Sequence, residues 1–233
     1  MSTPLRVLYG GSFDPVHNGH LAIARAARDA LRAEVSLLPA GDPPHKADTH
    51  ANAEQRAMLL DLAVAGEAGL RVDRRELRRA GPSYTVETLL ELRAELGPQV
   101  PLAWLIGADS LLQLHTWHRW RELFALAHLV VVQRPETSLD AQHLRDAAPE
   151  VLAEISPRGL PAGALAGRPQ GGFTVLPLPG LRPESSTELR RRIAAGEPWQ
   201  DWVSEPVAAC IARLNLYRVP AVIMAASPTS ASP

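Results

Sequence analysis

Two hydrophobic periods take turns along this chain, and their order predicts a fold. Leu5-Arg6-Val7-Leu8-Tyr9 is a short, mostly apolar run of the strand type, ending in Gly10-Gly11. From His20 to about Arg32, Leu21, Ala24, Ala27 and Leu31 recur at helical spacing. Val35–Leu38 reads as a second strand stopped by Pro39. Ala53 to about Glu67 reads as a helix with Met58, Leu59 and Leu62 on one face, and Leu70–Val72 as a short third strand. Thr85–Leu96 is the next predicted helix, with Thr85 as N-cap and Gly97-Pro98 as its stop. Leu102–Ile106 is apolar throughout, as a central parallel strand is. Leu129–Val132 and Phe173–Leu176 follow as strands five and six. Strand and helix in regular turn predict an α/β protein, a three-layer α/β/α arrangement around a doubly wound parallel sheet of about six strands.

Two stretches leave this rhythm. Residues 136–172 carry Pro, Gly and Ala with little strand pattern, and read as an irregular insertion with a short helix near Leu139–Asp146 or Val151–Ile155. Pro206–Leu216 reads as a helix with proline in its first turn, and the Ala/Ser/Pro-rich residues 221–233 as a flexible tail. The 233 residues suit a single domain over residues 1–220.

Composition narrows the function classes. The net charge of −1 provides no global field to attract nucleic acid. A single cysteine excludes an intramolecular disulfide framework. No run approaches the ~18–20 apolar residues that span a membrane. The first strand pattern begins at Leu5, which leaves no room ahead of it for a signal peptide. The expectation is a cytoplasmic protein with small-molecule partners, no nucleic acid and no membrane, and with homo-oligomerisation left open.

The chemistry concentrates in Gly10-Gly11-Ser12-Phe13-Asp14-Pro15-Val16-His17-Asn18-Gly19-His20. A strand ends in a glycine turn, and a His-x-Gly-His then opens a helix. Glycines admit close approach to backbone N–H groups, and a helix N-terminus carries partial positive charge. Two imidazoles added there suit a polyphosphate. A His pair at this spacing can also ligate a metal, but no third ligand cluster follows. Lys46 comes after Pro43-Pro44-His45, just past the second strand, at the carboxyl edge where open α/β sheets bind ligands. Asp109, after the fourth strand, can accept from a ribose hydroxyl pair or cap the next helix. Ser185 and Glu188 fit a capping box, which starts helices with or without a ligand. Trp117 can be a ring platform or a core aromatic.

Five blocks together resemble a known family: Gly10–His20, Pro43–Lys46, Pro82-Ser83-Tyr84-Thr85-Val86, Gly107–Ser110 with Trp117 and Trp120, and Ser185–Arg190. The first and last resemble the nucleotidyltransferase superfamily that shares His-x-Gly-His with class I aminoacyl-tRNA synthetases. The middle three resemble its bacterial nicotinate-nucleotide adenylyltransferase branch. The resemblance implies a Rossmann-like domain that joins ATP to nicotinate mononucleotide, with magnesium arriving on ATP and no dedicated protein metal ligands. It implies catalytic roles for His17, His20, Lys46 and Arg190. ATP contacts fall to Gly10, Gly11, Ser12, Phe13, Gly19, Gly107, Asp109, Ser186 and Thr187 besides His17, His20 and Arg190. Val132–Pro135 would line the adenine pocket. The mononucleotide falls to Ser12, Phe13, Lys46, Tyr84, Thr85, Trp117 and His118. Thr85 and the backbone around Trp117–His118 supply donors, and no carboxylate lies nearby in sequence to accept from an amide. Where the family has Ile before its Ser-Ser/Ala-Thr, this chain has Glu184.

The alternatives are the same chemistry on nicotinamide mononucleotide or phosphopantetheine, or a nucleotide sensor without catalysis. A sensor would have lost one of His17, His20, Lys46 or Arg190, and all four are present.

Overall fold

The computed structural model describes residues 4–41, 50–79, 81–133, 139–178, 180 and 183–218. Six parallel strands form one sheet: β1 (Arg6–Gly11), β2 (Glu34–Pro39), β3 (Leu70–Val72), β4 (Leu102–Gly107), β5 (His128–Gln133) and β6 (Phe173–Pro177). Their order across the sheet is β3-β2-β1-β4-β5-β6. The chain winds outward from β1 one way, then returns to β4 and winds outward the other way.

The period of two along each strand sorts its side chains onto two faces. Val7, Tyr9, Ala103, Leu105, Val130 and Val132 join one core. It is covered by α1 (Asn18–Leu31), α2 (Ala53–Val64), α8 (Ser186–Ala195) and α9 (Glu205–Arg213). Leu8, Leu102, Trp104, Ile106, Leu129 and Val131 join the other. That face is covered by α3 (Thr85–Leu96), α4 (Ala108–Leu112), α5 (Leu123–Leu126), α6 (Ala141–Ala147) and α7 (Pro149–Ile155). Strands sandwiched this way are apolar on both sides, and each buried Leu, Ile or Val contributes about 1.5–3 kcal/mol.

All six strands lie where the apolar runs predict them. Local details differ, and the last helix ends at Arg213 rather than Leu216. Thr85 is the first residue of α3 rather than its cap, because Tyr84 arrives extended and occupies the N-cap position. The second helix stops at Val64, short of Glu67, since the chain turns through Gly66 at φ +80°. Within 136–172 both candidate helices form, as α6 and α7, joined to β6 by two 3-10 turns, Ser156–Arg158 and Ala162–Gly167. No helix among the described residues is long and apolar enough to cross a membrane.

Candidate active site

The switch point between β1 and β4 places their carboxyl ends side by side, and ligands of open α/β sheets bind in the crevice there. A cleft of about 580 Å³ occupies that position. One part of its wall is Gly10, Gly11, Ser12, Phe13 and His20, from the end of β1 and the start of α1. Gly107 and Asp109, at the end of β4, form a second part. Tyr84 and Thr85 at the start of α3, with Trp117 and His118, form a third. Three of the five sequence blocks thus meet around one cavity.

The glycine turn is sterically required by the protein itself. A Cβ at Gly10 would lie 2.4 Å from the Trp104 indole, and one at Gly11 would lie 3.1 Å from the Phe13 ring. Phe13 then turns the chain at φ 46° and is buried. His17 stands at the N-cap position of α1. Its imidazole is buried and stacks on His20, with ring centroids 3.7 Å apart. Phe13 meets His20 edge-on at 5.0 Å. The His17 backbone N–H donates to His20 Nδ1 at 3.3 Å, which leaves the proton of a neutral His20 ring on Nε2. Two aromatic neighbours and this backbone bond hold His20 at the cleft wall.

Other residues expected at the site stand off that wall. His17 supports His20 from beneath. Gly19 is buried, and a Cβ there would lie 3.0 Å from His17 Nδ1, so this glycine makes room for the stacked imidazole. Ser185 caps α8, its Oγ accepting from Glu188 N at 3.2 Å. The reverse bond of a capping box is replaced, because the Glu188 carboxylate takes Arg191 and Arg192 instead and is pulled down to about pKa 2 by those two guanidiniums. Ser186 Oγ donates to Pro15 O at 3.0 Å, and Arg190 Nη1 to Asp14 O at 2.6 Å. The first turn of α8 therefore grips the loop that carries the two histidines, while Thr187 is exposed. Lys46, with Pro43–His45, lies outside the described residues, as do 134 and 135 of the expected adenine wall.

The loop is held from three further directions. Asp14, buried, accepts from His50 N at 3.0 Å, Ala51 N at 3.3 Å and Tyr217 Oη at 2.9 Å. Burial and the Asp14 charge both raise the Tyr217 phenol far above its ordinary pKa, so it stays a donor. Arg56, fully buried, donates to Ser12 O, Ala40 O and Gly41 O at 2.7 Å each and to Ala51 O at 3.3 Å.

At the third part of the wall, Tyr84 and His118 face each other with ring centroids 4.4 Å apart, beside the half-buried Trp117. Arg119 ties this segment to α3 by donating to Glu87 at 2.9 Å. No carboxylate is near Thr85 or Trp117–His118 by the sequence reading, but the fold brings one to this wall. Glu76, from a 3-10 turn at Arg75–Arg78, is buried in the cleft wall and accepts from Thr88 Oγ1 at 2.7 Å. In sequence it is hidden inside Asp73-Arg74-Arg75-Glu76-Leu77-Arg78-Arg79, which reads as a solvated charge run. Trp104 escaped for a different reason, since it looks like one more apolar strand residue.

This fold and cleft define a nucleotide-handling α/β protein of the cytidylyltransferase-like class, whose family model matches residues 8–192. A Stenotrophomonas maltophilia protein named probable nicotinate-nucleotide adenylyltransferase is 51% identical over 227 residues, covering 93% of this chain and 98% of its own length. One of the same name from Xylella fastidiosa is 41% identical over 219 residues, covering 92% of this chain and 97% of its own. The chain belongs to the nicotinate-nucleotide adenylyltransferase family. Among solved structures, the Plasmodium falciparum nicotinic acid mononucleotide adenylyltransferase complexed with NaAD superposes with a TM-score of 0.68 at 15% identity, over 91% of this chain and 97% of that one. At that identity the likeness speaks for the fold.

Proposed function

We propose that the protein transfers the adenylyl group of ATP to nicotinate mononucleotide, a cytoplasmic step of NAD biosynthesis that yields nicotinate adenine dinucleotide and pyrophosphate. The observation that carries this reading is a single cleft joining the glycine turn and His20 to Tyr84, Thr85 and Trp117. The names of the relatives support the choice of acceptor.

In the proposed reaction an oxygen of the acceptor's 5′-phosphate attacks the α-phosphorus of ATP. The bond from that phosphorus to the oxygen bridging the α- and β-phosphates breaks, and pyrophosphate leaves with the electron pair. The nucleophile is already anionic at neutral pH, so the protein needs no general base. Its work is to align two anions and offset charge that grows on the leaving group. His20, with its proton on Nε2, supplies a donor held in place before the reaction begins. The ten-residue helix α8 points its N-terminus at the same loop, where Ser186, Thr187 and Arg190 act on the β- and γ-phosphates. In that role Arg190 exchanges the Asp14 carbonyl for phosphate oxygen. Lys46 adds a cation on the acceptor side. Magnesium would arrive with ATP rather than on dedicated protein ligands, and would neutralise phosphate charge. The lining on that side, Gly10, Gly11, Ser12, Phe13 and His20, suits a phosphate rather than a hard cation.

At the other end Thr85 and the first backbone N–H groups of α3 have no partners within the helix. Such donors suit a carboxylate, whereas an amide NH₂ facing them is left unpaired. Trp117 serves as the platform for the pyridine ring.

The test is to follow the label. ATP carrying an isotope on its α-phosphate is incubated with nicotinate mononucleotide and the protein. The label is expected in the dinucleotide, with label on the γ-phosphate appearing in pyrophosphate. Label from the α-phosphate released as free AMP, with no dinucleotide, would overturn the reading.

A further inference from the structure

Among the described residues, Glu76 is the acidic side chain that the sequence hides and the fold delivers to the acceptor end of the cleft. It is 4% exposed, yet it lines the cavity. Its carboxylate takes a hydrogen bond from Thr88 Oγ1 at 2.7 Å, and the Ser83 hydroxyl beside it favours its charged form. Each of those hydroxyls also accepts a hydrogen bond. Ser83 Oγ accepts from Gly41 N at 3.1 Å, and Thr88 Oγ1 accepts from Arg79 Nη1 at 3.0 Å. The result is a relay from the chain leaving β2, through Ser83 and Glu76, into the first turn of α3. The two ends are packed tightly, since a Cβ at Gly41 would lie 2.7 Å from the Glu76 carbonyl oxygen.

We propose that Glu76 is a positioning residue for the acceptor. Its buried carboxylate fixes the Ser83–Thr85 segment against the cleft, so that this wall offers donors at a set place to a carboxylate-bearing ring. One of its oxygens is engaged by Thr88 Oγ1, which turns the carboxylate toward α3. Burial pushes the Glu76 carboxyl above its ordinary range, while the two hydroxyls and the Arg79 charge pull it back. The inference rests on the proposed acceptor chemistry and assigns part of its selectivity to a residue outside the motif blocks.

Steady-state kinetics of the full chain with ATP and nicotinate mononucleotide test it. In Glu76→Gln the acceptor KM is expected to rise about tenfold, as loss of a charge-assisted contact does, with kcat and the ATP KM within about twofold of the unmodified protein. Ser83→Ala, which removes one link of the relay, is expected to show the same split at about threefold. In a Thr85→Val background Glu76→Gln is expected to add less than about twofold, because coupled residues are not additive. Equal rises in both KM values, a change confined to kcat, or a lowered melting temperature with unchanged KM would overturn the inference. Should Glu76→Gln fail to fold, the Ser83→Ala split decides it by the same criteria. An unmodified protein that does not turn over nicotinate mononucleotide would end both this inference and the proposed function. Turnover without the split would end only the inference.

Discussion

His20 shows how single residues are made ready here. It is wedged between the His17 ring and the Phe13 edge, and its Nδ1 is engaged by backbone, so little reorganisation is left for the reaction itself. His20→Ala is expected to lower kcat by roughly 10²–10³ while the melting temperature stays close to that of the unmodified protein. Wild-type turnover in that variant would remove the motif from the reacting phosphates. Arg190 allows a sharper distinction, because it bonds the Asp14 carbonyl while proposed to clamp phosphates. Arg190→Ala is expected to raise the ATP KM at least about tenfold with a smaller effect on the acceptor KM. Equal loss on both substrates would mean that it acts only by holding the loop. Motif residues such as Gly10, Gly11 and His20 were legible because their types are rare in that arrangement. Glu76 was not legible, since one inward carboxylate in a run of charges looks like its neighbours until the 3-10 turn aims it.

At the scale of elements, the strands were legible because two covered faces demand continuous apolar runs, which few other environments produce. Helix starts were less so. The cap of α8 could be read from Ser185, whose side chain bonds Glu188 N, but Tyr84 precedes α3 without a capping side chain and left no signal. Nothing in the sequence shows that His128, the first residue of β5, fastens the 139–172 excursion to the sheet. Its Nδ1 accepts from Gly172 N at 2.9 Å, so its Nε2 carries the proton and bonds Arg168 O at 2.9 Å. Burial lowers its pKa below the ordinary imidazole value. The sign follows: the unfolded chain takes up this proton first, near pH 6.5, so the His128 contribution is complete above that pH and is lost as pH falls toward the lower folded value. The melting temperature is expected to fall between about pH 7.5 and 5.5, and to fall less in His128→Asn. Parallel profiles for the two proteins would contradict this role.

At the scale of the whole molecule, the two-way winding of the sheet makes the site. It sets β1 beside β4, and so joins Gly10–Ser12 to Gly107 and Asp109 from far along the chain. The parallel, doubly wound sheet could be inferred from the alternation of elements, whereas the order of its strands comes from the structure. The closing contacts could not be inferred, because Tyr217 reaches Asp14 across 203 positions, and α8 returns to Pro15 across 171. Those bonds leave no local pattern, yet they hold the loop on which the proposed chemistry depends. The central claim is that this assembled cleft joins ATP to a ring bearing a carboxylate. The most direct measurement is pyrophosphate release from ATP with nicotinate mononucleotide, nicotinamide mononucleotide and phosphopantetheine as acceptors in parallel. The account predicts a kcat/KM for the nicotinate compound on the order of 10² or more above the nicotinamide compound, with no turnover of phosphopantetheine. Comparable values for the acid and the amide would contradict it.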